Sequence, residues 1–135
     1  MKAITLHRPW PYAIARLGKN IENRNWPAPH SLISQHLAIH AGQKLDEAGV
    51  RWIHRNIAWA PDTLPEEAHA AGVIVATCIV AGCVHIDSVE GRRIERENPW
   101  AAGPYLWILR RIHPLEVPVT IRGHQGLWEW EDSLL

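Results

Sequence analysis

The chain has 135 residues, 47% hydrophobic and 21% charged, and its 14 basic and 14 acidic side chains leave a formal net charge of zero. One domain, 1–135, with a real core fits that length and composition, and the neutral balance excludes a strongly basic protein that coats duplexes. No apolar run is long enough to span a bilayer, and Met1-Lys2-Ala3-Ile4 lacks the layout of a signal peptide, so the expected compartment is cytoplasmic, with no membrane partner.

Residues 2–6, KAITL, read as a first strand. RPWPYAIARLG follows, with Pro9 and Pro11 near a helix start, where missing amide donors cost least. Trp10, Ala13, Ile14 and Leu17 recur at helical spacing, and Gly18 fits a left-handed cap at the helix end. NIENRNW, 20–26, is a second strand, broken by the Pro-Ala-Pro that follows. Side chains alternate along a strand, so Glu22, Arg24 and Trp26 share one face. HLAIHA, 36–41, is a third strand. Residues 44–57 predict a second helix with Leu45, Ala48, Trp52 and Ile53 on one face. A loop then leads to one expected helical turn after Pro65. GVIVATCIVAGCVHID, 72–87, is the longest apolar run. Its β-branched residues and Gly82 predict one long, curved core strand. Residues 88–104 read as a charged loop, 105–113 as a strand, and 114–122 as another strand broken by Pro118. A glycine turn leads into the last strand within 123–131. Six or seven strands with two main helices predict an α+β domain built around a closed or nearly closed β-barrel.

Eight tryptophans and no phenylalanine mean that some indoles fill core space and others are free to stack on a ligand. Trp52, Trp59, Trp100 and Trp107 read as packing residues. Eleven of the 14 basic residues are arginines, the better side chain for planar recognition of phosphate or a base edge. Cys78 and Cys83 lie five residues apart on one predicted strand, about 16 Å, too far to bridge. They read as buried thiols. His36 and His40 are four apart on a strand, which separates them by about 13 Å, and no zinc-type spacing occurs. No metal is expected. Arg92, Arg93 and Arg96 alternate with acids in a solvated loop, while Arg110, Arg111 and Arg122 would add phosphate contacts if they faced a cleft. Ser31, Ser34, Ser88 and Ser133 read as ordinary loop residues.

LHRPWPYAIARLGKNIENRNW resembles the opening of ASCH (activating signal cointegrator homology) domains, relatives of the PUA RNA-binding fold. The residues that carry the likeness are Arg8, Pro9 and Trp10, followed by G-x-K-x-x-E-x-R as Gly18, Lys19, Glu22 and Arg24. GPYLWIL and IRGHQGLWEW resemble the closing strands, with Gly123, Gly126 and Trp128 in order, so the resemblance spans nearly the whole chain. It looks closest to the coactivator branch. It implies a PUA-like barrel with a cleft lined by the motif, RNA or a nucleotide as ligand, and no cofactor. Some small bacterial relatives are amidohydrolases on N4-acetylcytidine, and at least one relative is described as a ribonuclease. The amidohydrolase branch has a nucleophilic threonine three residues after the motif lysine. Here that position is Glu22, and a carboxylate does not replace an activated hydroxyl.

Beside this resemblance each residue has its own chemistry. Lys19 is a solvated residue at a helix end, a point charge for phosphate, or a base if desolvated. Glu22 and Arg24 are either contacts for a base edge and a phosphate, or structural glue that positions Lys19. Trp10 is at core spacing beside Pro9, whereas Trp26 sits on the charged face and is expected to stack on the ligand. His40 and Tyr105 complete the expected binding set with Arg8, and the resemblance places His7 and His40 near the motif as ligand contacts or acid/base groups. Three functions follow: an RNA- or nucleotide-binding domain, a hydrolase on RNA or a modified nucleoside using Lys19 and Glu22, or a tryptophan-rich protein-interaction module.

Overall fold

The computed structural model describes residues 1–131; Ser133 lies outside the described residues. Six strands form one mixed sheet: β1 (Lys2–Arg8), β2 (Ile21–Arg24), β3 (His36–Leu45), β4 (Val73–His85), β5 (Tyr105–Thr120) and β6 (Leu127–Glu129). Three helices accompany them: α1 (Trp10–Arg16), α2 (Glu47–Asn56) and α3 (Val89–Glu97). The strand order is β2-β5-β4-β3-β1-β6. β1 and β3 run parallel, and every other pair is antiparallel. The α+β class and a strand number at the lower expected value hold. The sheet itself is not a ring, since β2 and β6 stand at its ends and no strand pairing joins them among the described residues.

The long apolar run forms β4, and three register shifts interrupt its ladder with β5. β5 is one strand of 16 residues instead of two. Its partner β2 reaches only as far as Ile108, so Pro114 and Pro118 sit where one edge carries no partner strand and a missing N–H breaks no ladder. β3 continues past the expected 36–41 to Leu45, and α2 begins after Asp46, whose carboxylate accepts the Gly49 N–H at 2.8 Å. Such a side chain satisfies one of the amides that a helix start leaves open.

The expected charged loop at 88–104 is half helix. Ser88 caps α3 by accepting the Gly91 N–H at 3.0 Å, and Arg93 bridges Glu90 and Glu97 one turn away on either side. The charge run is therefore a helical pattern of i,i+3 and i,i+4 pairs. Ser31 falls in a short 3-10 turn, His30–Leu32.

Apolar packing lies on both sides of the sheet. One cluster centres on Ile4, Leu37, Ile39 and Trp107, and another on Ile14's neighbours Ala13 and Leu17 with Ile53 and Leu106. Trp128 and Trp130 are both buried and form a third cluster with Ala3 and Ile74. Cys78 is buried, which pushes its thiol up to about 12, with the Glu22 carboxylate adding to the rise. Cys83 is half-buried, and both thiols are free.

Gly91 packs α3 onto the end of β4 so closely that a Cβ would fall on the backbone of His85 and Ile86. Gly91→Ala should therefore destabilise the fold by about 1–3 kcal/mol, the usual cost of overpacking. Urea unfolding measures it, and an unchanged midpoint would show that α3 shifts freely.

Candidate functional site

The site grows from the end of α1. Gly18, at φ +78, turns the chain back in a conformation that glycine adopts without strain. The Lys19 N–H then reaches the Ala13 carbonyl at 3.1 Å, which tucks Lys19 beneath the helix. Its ammonium donates to the Ile21 carbonyl, meets Glu22 Oε1 at 3.1 Å, and lies 5.6 Å from the Trp10 ring centre. The second Glu22 oxygen accepts from Arg24 at 3.4 Å. Lys19 and Glu22 side chains are 4% and 7% exposed, against 24% for Arg24. A buried charge is tolerated only when paired and hydrogen-bonded, and this pair meets both conditions.

Lys19, Glu22 and Arg24 line one cavity of about 580 Å³. Trp10, Trp52 and Trp100 form its aromatic wall, with ring centres 6.2 Å apart for Trp10–Trp52 and 5.7 Å for Trp52–Trp100. Thr5, His7 and Gln125 line its other end. Asp46 joins two parts of the wall, because it caps α2 and also accepts the Trp10 indole N–H at 2.9 Å. Gly49 permits this approach, since a Cβ there would strike the Trp10 ring. The segment carrying Trp100 is fastened to β2 by Asn23. The Asn23 Oδ1 accepts the Ala102 and Gly103 N–H groups at 2.8 Å each, and its Nδ2 donates to the Trp100 carbonyl at 2.9 Å.

Four expected site residues, and with them Pro9, lie outside this lining. Arg8 spends its guanidinium on three backbone carbonyls, those of Gly42, His69 and Gln43, at 3.1, 2.7 and 2.6 Å. Pro9 is buried beside it. His40 is buried too; burial holds its pKa below the usual range, against the opposing effect of its bond to the Ile121 carbonyl. The neutral ring then donates from Nε2 to Ile121 at 2.8 Å, and its Nδ1 accepts the Thr5 hydroxyl at 3.1 Å. Thr5 Oγ1 accepts in turn from the Trp128 indole at 3.0 Å. Trp26 packs edge-on against Trp107 at 5.0 Å, with the Arg24 guanidinium over its ring at 5.2 Å. It backs Arg24 from outside the cavity. Tyr105 pairs with Arg24 across the β2–β5 ladder and packs its ring on His85. Arg110, Arg111 and Arg122 are exposed and outside the lining.

Trp52, Trp100 and Asn23 enter the site although the sequence pattern does not place them there. Trp52 and Trp100 are more than packing residues, and Trp59, expected to pack, is 61% exposed. Among the described residues no three His, Cys, Asp or Glu side chains come together. Among the described residues no helix is long and apolar enough to cross a membrane.

No protein-family model matches the chain, and no curated protein does. Among solved structures it is similar to the crystal structure of a point mutant of ZmASCH from Zymomonas mobilis. The TM-score is 0.55 at 14% identity, over 98% of this chain and 88% of that one. The chain thus shares the fold of that ASCH protein. A likeness at 14% identity carries the fold and singles out no branch, the coactivator branch included.

Glu22→Ala leaves the Lys19 ammonium buried without its carboxylate and should cost about 3–5 kcal/mol. Lys19→Met combined with Glu22→Leu should recover most of that loss, since apolar replacement of a buried pair is often neutral. Urea unfolding of the three proteins checks this. Equal losses in the single and double variants would contradict it.

Proposed function

We propose that the chain binds RNA through one nucleotide unit held in this cavity. The observation that carries the reading is the convergence of two cations, one carboxylate and an indole wall on a single concavity. Lys19 and Arg24 against Glu22 leave one positive charge facing the ligand, which suits a phosphate. Arg24, the more exposed of the cations, offers the planar fork that grips phosphate oxygens. Indole faces accept a stacked base, at about 1–3 kcal/mol per base. A volume of about 580 Å³ sits within the range of small-ligand sites, about 300–1,000 Å³. The ASCH fold agrees with a nucleic-acid ligand without specifying one.

Tryptophan fluorescence, titrated with cytidine 5′-monophosphate and with short RNA, tests the reading. Trp52→Ala should weaken binding at least fivefold, and Trp26→Ala should weaken it less. Arg24→Ala should weaken it and flatten its dependence on salt. Absence of saturable binding by either ligand would favour the protein-interaction module instead.

The geometry gives the hydrolase reading less support. A general base must lie within reach of the water it activates, and the Glu22 carboxylate is 7% exposed with each oxygen already facing a cation. The purified protein should release no acetate from N4-acetylcytidine. Sustained release that disappears in Glu22→Gln would overturn this.

A further inference from the structure

Helix α2 faces the cavity on one side and a second concavity on the other. The second is about 500 Å³; Arg51, His54, Arg55 and His69 are its basic lining and Asp62 its one acid, beside the apolar Val50, Ile53, Pro61 and Leu64. Successive residues of a helix turn by about 100°, so Arg55 and Arg51 stand between Trp52 and His54 around its circumference. Trp52, Arg55, Arg51 and His54 therefore form a continuous track from the first concavity to the second.

Both arginines are exposed, and among the described residues neither enters an ion pair or a side-chain hydrogen bond. Glu47, one turn before Arg51, makes no ion pair with it. Arg8, Arg16, Arg24 and Arg93 are engaged by oxygens of the protein, while among the described residues Arg96, Arg110, Arg111 and Arg122 are exposed and unpaired too. What sets Arg51 and Arg55 apart is their place on α2 between the two concavities. Two like charges at i and i+4 oppose the helix they sit on, and a bound polyanion relieves that repulsion. They also occupy the last two turns of α2, where the helix dipole favours cations but offers no side-chain acceptor.

Resting on the nucleotide reading above, we propose that the natural ligand is a single RNA strand that crosses α2. One nucleotide occupies the tryptophan-walled cavity, and the adjoining backbone runs over Arg55 and Arg51 into the second concavity. A helix with its side chains is about 10–12 Å across, so a strand of a few nucleotides spans the track. Arg51 and Arg55 hold phosphates there and read no base.

The experiment compares cytidine 5′-monophosphate with a cytidine hexaribonucleotide on the full chain and on an Arg51→Ala, Arg55→Ala double variant. The hexamer should bind the unaltered chain at least tenfold more tightly than the monophosphate. The double variant should lose most of that advantage while its monophosphate affinity stays within twofold. Its salt slope for the hexamer should fall by about 1.4, at about 0.7 for each phosphate of a single strand that is no longer neutralised. An Arg51→Lys, Arg55→Lys variant should retain most of the advantage, because charge is what the track supplies. If the monophosphate binds but the hexamer binds no more tightly, or the alanine variant holds the hexamer as well as the unaltered chain, the track is overturned and the cavity reading stands. If neither ligand binds the unaltered chain, the cavity reading itself fails, and the track with it.

Discussion

An ammonium group that has left water must have its charge answered nearby, and much of this molecule is arranged around doing so for Lys19. Moving a charge from water into a protein interior costs several kcal/mol even after relaxation. Here the Ile21 carbonyl, the Glu22 carboxylate and the Trp10 ring face divide that task. Each partner comes from a different local device: the return of the chain at Gly18, the alternation of β2, and the first residue of α1. Glu22 then needs a second cation for its remaining oxygen, and Arg24 supplies it. Arg24 in turn lies over Trp26, which Trp107 holds from the core side. The charged motif is thus a chain of dependencies running from a buried ammonium out to a partly solvated guanidinium.

The cavity follows from fixing that chain against the rest of the fold. Asp46 holds Trp10 and starts α2, so the helix that brings Trp52 is positioned by the same carboxylate that orients Trp10. Asn23, next to Glu22 on β2, saturates three backbone groups of the segment that brings Trp100. Three tryptophans far apart in sequence are thereby set at a common wall without relying on packing alone. Rigid support of this kind keeps a binding geometry in place before the ligand arrives, which reduces the ordering cost of association.

Local chemistry is legible in the sequence wherever it is periodic or motif-like. The β2 alternation of Glu22 and Arg24, the glycine turn at Gly18, the single long β4 and the helical spacing of α1 all appear in the structure. Lys19, Glu22 and Arg24 meet in one cavity, as their spacing and the ASCH resemblance together suggest. The misses have physical causes. α3 is hidden because charges dominate its sequence, and its i,i+4 pairs look the same as a solvated loop when apolar spacing is the signal. The prolines of β5 suggest two strands because the missing partner strand beyond Ile108 cannot be read from composition. Trp52 and Trp100 read as packing because they are half-buried or buried and still face the cavity, a double role that hydrophobic pattern does not separate. His40 and Arg8 lie near the motif segments, yet their polar atoms are consumed by Thr5, Ile121 and backbone carbonyls. Proximity along the chain says nothing about which way they face.

A crystal structure of the chain with a short cytidine-containing RNA bears most directly on the central claim, that the paired charges and the tryptophan wall make one nucleotide site. The expected result is a base against the Trp52 face of the wall and a phosphate oxygen within hydrogen-bond distance of Arg24, with the Lys19–Glu22 pair unbroken. RNA bound on another face while the cavity holds only solvent would contradict it.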